Sequence, residues 1–220
     1  MSQATAFVYL FPDRIESATG AGATLKWPEG VTPFHATRDL VTNPYVRSLY
    51  IVADAFTPDE CGQIVALGAA HRETAAVYNA DRSERDSVIS WLEPRPETHW
   101  LYHRLAVLFR DANRQYDYSL VGFAEALQLT EYGVGGHFDW HLDIGPEDAA
   151  SRKLSLTVLM NAPSEYDGGQ LEFFRMGSVP PDLTIGTALF FPSYLPHRVA
   201  PVTRGIRRSL VAWAYGNSFR

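Results

Sequence analysis

At 220 residues, 46% of them hydrophobic and 20% charged, the chain is long enough for one domain with a substantial core and too apolar for pervasive disorder. A net charge of −6 with no long basic run argues against nucleic acid or anionic lipid as partners. No stretch approaches the roughly 20 apolar residues that span a bilayer, and the run from Ala6 to Phe11 is too short and wrongly flanked for a signal peptide. A cytoplasmic location is therefore the default expectation.

Residues 1–47 hold short apolar patches broken by Gly and Pro, as in "ATGAGATLKWPEGVTPFH", and read as an irregular arm with one or two strands. Leu49-Tyr50-Ile51-Val52 is β-prone. It precedes Thr57-Pro58-Asp59-Glu60, where Thr57 suits an N-cap, Pro58 the first helical turn, and the two acids the positive end of a helix dipole. The pattern predicts a helix over about 58–71. A second, over about 97–116, follows from Trp100, Leu101, Leu105, Leu108 and Phe109 at helical spacing.

From Leu120 the texture changes to short runs separated by turns. Leu154–Met160 alternates in part, "SEYDGGQ" signals a turn, and Leu171-Glu172-Phe173-Phe174 is expected to pair back as a hairpin. Ile185–Phe191 and Ser209–Tyr215 read as further strands. Helices first and short strands afterwards predict a mainly β, α+β domain, a sandwich or barrel braced by N-terminal helices.

The only cysteine, Cys61, can form neither an internal disulfide nor a thiolate cluster, so any metal must be held by nitrogen and oxygen. Cys61 itself reads as a small apolar residue on a helix. The stretch "GGHFDWHLDIG" carries two copies of His-x-Asp, His137 with Asp139 and His141 with Asp143. On an extended strand all four side chains share a face, so spacing does not choose between the copies. His197, the other histidine of the strand-rich half, would complete two imidazoles and one carboxylate, the facial set that leaves half of an octahedral iron(II) open.

Arg207 and Arg208 follow His197 by ten and eleven positions. Either guanidinium would suit a distal carboxylate, and alternation does not separate them, because both faces of the strand are largely apolar. His99 and His103 lie four apart on the second helix without the Glu of a zincin, and read as a solvated pair.

The order Tyr132, Gly135, Phe138, His141, Asp143, then "SRKLSLTVLMNAPSEYDGGQLEFF", then "FFPSYLPHRVAPVTRGIRRSLVAW", resembles the iron(II)/2-oxoglutarate dioxygenases of the prolyl 4-hydroxylase-like group, and within it the bacterial hydroxylase type. The likeness covers about residues 120–216. It is looser over 49–119, where "RDSVISWL" resembles an Arg-x-Ser segment beside the substrate groove, and residues 1–47 match nothing in the group.

The resemblance implies a double-stranded β-helix, or jelly roll, in a dioxygenase domain over 48–220 whose β-helix core starts near 120. In this group a tyrosine stands nine positions before the first histidine and a basic residue ten after the last, spacings that Tyr132 with His141 and His197 with Arg207 satisfy. It therefore implies His141, Asp143 and His197 as iron ligands, and Arg207 for the distal carboxylate of 2-oxoglutarate. Tyr132 and Ser209 become hydrogen-bonding helpers, and His137 and Asp139 residues of the rim. Iron(II), 2-oxoglutarate and O2 are the implied cofactors, and a prolyl residue of a peptide or a small amino-acid-like molecule is the implied substrate.

Trp91, Arg152 and Tyr194 are the candidates for substrate contact, against core packing for the two aromatics and an ion pair for Arg152. Trp213 reads as core. Asp143 keeps the carboxylate that related halogenases replace by a small residue, which favours hydroxylation. The rival readings are a non-enzymatic β-helix module, metal-binding or metal-free, and a cupin-type oxygenase or isomerase that has no need of Tyr132 or Arg207.

Overall fold

The computed structural model describes residues 7–10, 14–17, 49–69, 72–74, 84–174, 176–179 and 183–217. Helix α1 spans Pro58–Gly68, started by a reciprocal cap. Thr57 Oγ1 accepts the Glu60 amide at 3.2 Å, and Glu60 Oε2 accepts the Thr57 amide at 2.8 Å. It stops short of the expected limit near residue 71; the chain is already leaving the helix at Ala69, and 70–71 lie outside the described residues. Helix α2 spans His99–Tyr116 and ends where Asp117 enters the left-handed region at φ 57°.

The apolar stripe of α2 buries Leu101, Tyr102, Leu105, Phe109 and Tyr116, with Trp100 and Leu108 partly covered. Phe109 meets Phe123 and Phe190 edge to face at 5.3 and 5.1 Å, and the Tyr116 hydroxyl donates to the Phe190 carbonyl. Each such side chain contributes roughly 1.5–3 kcal/mol of burial, enough to hold the helix on the sheet without help from surface ion pairs. Cys61 lies buried in the same core.

The helices pack on a ten-stranded antiparallel sheet whose centre runs Leu120–Phe123, Arg207–Gly216, Arg152–Leu159, Ala188–Pro192, Tyr50–Val52. Strand Leu127–Tyr132 also pairs with Arg207–Gly216, and beyond it lies Val88–Leu92. Two strands from the N-terminal arm, Phe7–Leu10 and Arg14–Ser17, extend the Leu120–Phe123 edge; the remainder of the expected irregular arm lies outside the described residues. A second sheet of five strands faces the first, in the order Gly177–Ser178, Leu171–Phe173, His197–Val199, His137–His141, Arg85–Asp86.

The hairpin expected between Leu154–Met160 and Leu171–Phe174 does not form. Arg152–Leu159 is a central strand with both edges taken by Ala188–Pro192 and Arg207–Gly216, so Leu171–Phe173 has no edge to join and crosses to the smaller sheet. The "YDGGQ" turn makes that crossing through Gly168 and Gly169 at φ 74° and 64°. A side chain on Gly168 would sit 2.3 Å from the Pro201 carbonyl oxygen.

Crossover sets the polarity of the interior. Leu154, Leu156 and Val158 face the helices, while Ser155 and Thr157, offset by one, face the space between the sheets. A strand buried on both faces thus carries hydroxyls on one of them, and that face is where the chemistry lies.

Candidate active site

His141 ends one strand of the smaller sheet and His197 begins the next, and the two are direct cross-strand partners. Asp143 follows two residues after His141, anchored by its amide to the Ser193 carbonyl at 3.0 Å. One nitrogen of each imidazole is occupied: His141 Nδ1 meets the Asp139 carbonyl at 2.7 Å, and His197 Nδ1 the Leu195 carbonyl at 2.9 Å. Carbonyls only accept, so Nδ1 carries a proton on both rings, and Nε2 is the nitrogen each ring presents to a ligand. Those two nitrogens stand 3.8 and 3.7 Å from the Asp143 carboxylate, and the three ligand atoms lie within 4.8 Å of one another.

Burial, reinforced by the neighbouring His197, lowers the His141 imidazole to about 4, so it is neutral near pH 7. Burial opposes charge on Asp143 as well. There the two imidazoles, the Ser155 hydroxyl and Arg152 outweigh it and hold the carboxyl below its ordinary range. Two imidazoles, each with Nδ1 tied to a carbonyl, and one carboxylate form a donor set that fits a divalent first-row metal.

The tie between the two His-x-Asp copies is broken by backbone. The register shifts between His197 and Val199, so that His141 and Phe138, three residues apart, both line the cavity, their rings stacked at 3.5 Å. His137 and Asp139 fall outside it. The His137 ring turns back to the Gly135 carbonyl, and Asp139 caps the Trp140 amide on the exposed side. The expectation that all four side chains share a face fails because a bulge, invisible to alternation, lies in the middle.

Register also separates the two arginines. Arg207 stands opposite Tyr132 and Arg208 opposite Glu131. Arg208 pairs with Glu131 at 2.9 Å on the other face, whereas Arg207 points into the cavity that holds His141, Asp143 and His197, only 2% exposed. Its guanidinium donates to Ser209 Oγ at 3.1 Å and stands 5.6 Å from the centre of the Tyr132 ring. Among the described residues no carboxylate reaches it. A buried cation without an anion is costly, so this pole fits an anionic ligand. Arg207 and Leu171 also border a wider cavity of about 580 Å³ that contains none of the three metal-ligand candidates.

Of the remaining sequence candidates, Trp91 stands opposite Gln128, whose side chain lines the cavity, but Trp91 itself does not line it. Tyr194 is 44% exposed on the turn before His197 and is likewise outside. Arg152 makes a two-point ion pair with Glu125, donates to the Asp143 carbonyl at 3.0 Å and covers the Trp213 ring at 4.0 Å. Its donors brace the metal-binding turn from behind. His99 and His103 are exposed on α2 and are not part of the cluster.

Several residues carry the site without having been singled out from sequence. Ser155 donates to Asp143 Oδ2 at 2.6 Å and meets Ser193 Oγ at 2.9 Å. Thr157 and Gln128 line the cavity, as do Phe138 and Arg85, which stand in the segments that carried the resemblance, and Trp213, read as core, whose buried indole N–H has no acceptor among the described residues. The signal that was available is "LSLTV", in which hydroxyl residues alternate with aliphatics in a strand too apolar to be exposed. Replacing Ser155 by alanine is expected to weaken manganese(II) binding about 10–100-fold, as measured by titration, because the carboxylate loses the group that fixes its rotamer.

A family model described as the 2OG-Fe(II) oxygenase superfamily matches residues 127–215, the span that contains both poles of this cavity. Over that span the chain is similar to the 2OG-Fe(II) oxygenase superfamily. A PKHD-type hydroxylase of Synechococcus sp. (strain CC9902) is 30% identical over 97 residues, 44% of either chain, and one of Hyphomonas neptunium is 40% identical over 88 residues, 37% of this chain and 38% of that one. The matched stretch thus spans less than half the length of these relatives.

Solved structures agree in fold. A prolyl-4-hydroxylase of Pseudomonas putida superposes with a TM-score of 0.63 at 23% identity, covering 78% of this chain and 94% of its own. A viral collagen prolyl hydroxylase of Paramecium bursaria Chlorella virus-1 gives 0.60 at 20% identity, over 78% and 97%. The architecture is a double-stranded β-helix. Among the described residues no helix is long and apolar enough to cross a membrane.

Proposed function

We propose that the protein is an iron(II)- and 2-oxoglutarate-dependent hydroxylase that inserts one oxygen atom into an unactivated C–H bond of an amino-acid-like or prolyl substrate. The observation that carries this reading is Arg207, a buried guanidinium with no carboxylate partner among the described residues, in the same cavity as the His141, Asp143 and His197 cluster. A metal-binding module or a cupin-type enzyme has no use for that cation.

His141 Nε2, His197 Nε2 and one oxygen of Asp143 would hold iron(II), and Arg207, with Ser209 and Tyr132 beside it, would take the distal carboxylate of 2-oxoglutarate. Iron(II) with 2-oxoglutarate supplies the activation of O2, one oxygen ending in succinate and the other in the product alcohol, with release of CO2. The protein's own work is placement. The carbonyls of Asp139 and Leu195 fix the imidazole tautomers, Ser155 and Arg152 hold the Asp143 turn, and Phe138, Phe191 and Val199 keep water from the reacting atoms.

The test is a turnover assay with iron(II), 2-oxoglutarate and O2 against a panel of free amino acids and proline-containing peptides. Succinate is measured alongside a 16 Da mass gain of the substrate. Stoichiometric succinate and oxygenated product are expected. Oxygenation that proceeds without 2-oxoglutarate would move the assignment to the cupin-type reading.

A further inference from the structure

Arg85 ends the loop side of the strand Arg85–Asp86 and pairs across to Phe138, on the strand that carries His141. Its side chain lines the same cavity as the metal cluster and Arg207. Nε donates to Ser87 Oγ and one terminal nitrogen to Gln128 Oε1, both at 2.9 Å, and the guanidinium lies over the Phe138 ring at 4.6 Å. That ring is itself stacked on His141. Three planar groups therefore run in a column from the Arg85 guanidinium through Phe138 to His141.

The arginines near this cavity divide into two kinds. Arg152, Arg198 and Arg208 each meet a carboxylate, Glu125, Glu172 and Glu131 respectively. Arg85 and Arg207 line the cavity itself, and among the described residues neither has an acid within ion-pair distance. Asp143 is the one acidic residue in the lining. With the site loaded as proposed above, iron(II) and the two guanidinium groups bring four positive charges. Asp143 and 2-oxoglutarate bring three negative ones. One cation is left over, and Arg85, held by two neutral hydrogen bonds and a ring face, has no carboxylate partner among the described residues.

We propose that Arg85 receives a carboxylate of the prime substrate, so that the substrate class is a compact carboxylate-bearing molecule, with the oxidised carbon a few bonds from the acid. This rests on the oxygenase reading and narrows it. A free amino acid or the C-terminal residue of a peptide supplies the group; an internal prolyl residue flanked by amides does not. The column of Arg85, Phe138 and His141 sets the reach, because the acid is held one ring beyond the metal ligand.

The test compares acids with their amides on the intact enzyme. Free L-amino acids, their C-terminal amides, and short peptides with free or amidated C-termini are assayed for succinate release. Their binding to the manganese(II) and 2-oxoglutarate complex, which does not turn over, is followed by melting temperature. Acids are expected to bind at least tenfold more tightly than the matched amides, and Arg85→Gln to erase that difference while the melting shift from manganese(II) and 2-oxoglutarate persists. Activity with free amino acids but not peptides, or with free C-termini as well, assigns the source of the acid.

Amides that serve as well as acids, or an acid preference that survives in both Arg85→Gln and Arg85→Met, overturn the proposal. The acid-to-amide comparison on the wild type stands even if a variant fails to fold. Absence of any melting shift with manganese(II) and 2-oxoglutarate in the wild type is a separate result, and it removes the oxygenase reading instead.

Discussion

Arg207→Met is expected to abolish the melting shift caused by 2-oxoglutarate and to raise the apparent KM for it by roughly 30- to several-thousand-fold. The range follows from the ~2–5 kcal/mol cost of truncating one partner of a buried charge pair, at about 1.4 kcal/mol per factor of ten. The same substitution has the opposite sign in the absence of ligand. Arg207 is 2% exposed, and its guanidinium is met by one hydroxyl and a tyrosine ring. Removing an uncompensated buried cation in favour of an isosteric apolar side chain leaves the unliganded fold as stable or more stable. Melting curves with and without 2-oxoglutarate therefore read both effects from one variant. A variant destabilised in both states would mean that Arg207 is structural, and unchanged 2-oxoglutarate affinity would place the distal carboxylate elsewhere, for instance in the wider cavity that Arg207 also borders.

The second large effect concerns the metal pole. His197→Ala and Asp143→Ala are each expected to weaken manganese(II) binding by about 100-fold or more, beyond the ~10–100-fold that an outer partner commands. His137→Ala and Asp139→Ala are expected to stay within about threefold of wild type, because neither side chain enters the cavity; Asp139 serves His141 through its backbone carbonyl, which the substitution keeps. Calorimetric titration with manganese(II) separates the two pairs. Folding should survive the loss of Asp143, since Ser155 keeps Ser193 as a partner and the turn keeps its amide bond to the Ser193 carbonyl. Metal lost with His137 but retained without His141 would reverse the order of the copies.

Much of this molecule was legible from local signals. The period of Trp100, Leu101, Leu105, Leu108 and Phe109 gives α2, and Thr57 to Glu60 gives the start of α1, because helix chemistry is written within one or two turns of chain. The spacings of Tyr132 to His141 and of His197 to Arg207 point to the two poles of the cavity, which register then brings together as cross-strand partners.

What was not legible involves pairing over long distances in sequence. Leu171–Phe173 reads as the second arm of a hairpin until both edges of Arg152–Leu159 are found occupied. Ser155 carries no motif that marks it, and Arg85 stands in the Arg-x-Ser segment whose resemblance gave a substrate groove but no place in this cavity. One becomes part of the site because its strand is central and turns its hydroxyl face inward, the other because its strand borders His137–His141. Trp213, read as core, is buried, yet it lines the cavity with an unpartnered indole N–H.

By itself the sequence determined the helices, the strand-rich second half, the nitrogen and oxygen character of any metal site, and the short list of histidines, acids and arginines from which it is built. Only the tertiary structure decided among them. A bulge at the pairing of His197–Val199 with His137–His141 turned His141 inward and His137 and Asp139 out, and one step of register gave Arg207 to the cavity and Arg208 to Glu131. The reason is that strand alternation has a period of two and no memory of its partner. Which face is the inside, and where the period slips, is set by the neighbouring strand, which here is some 60 to 75 residues away in the chain.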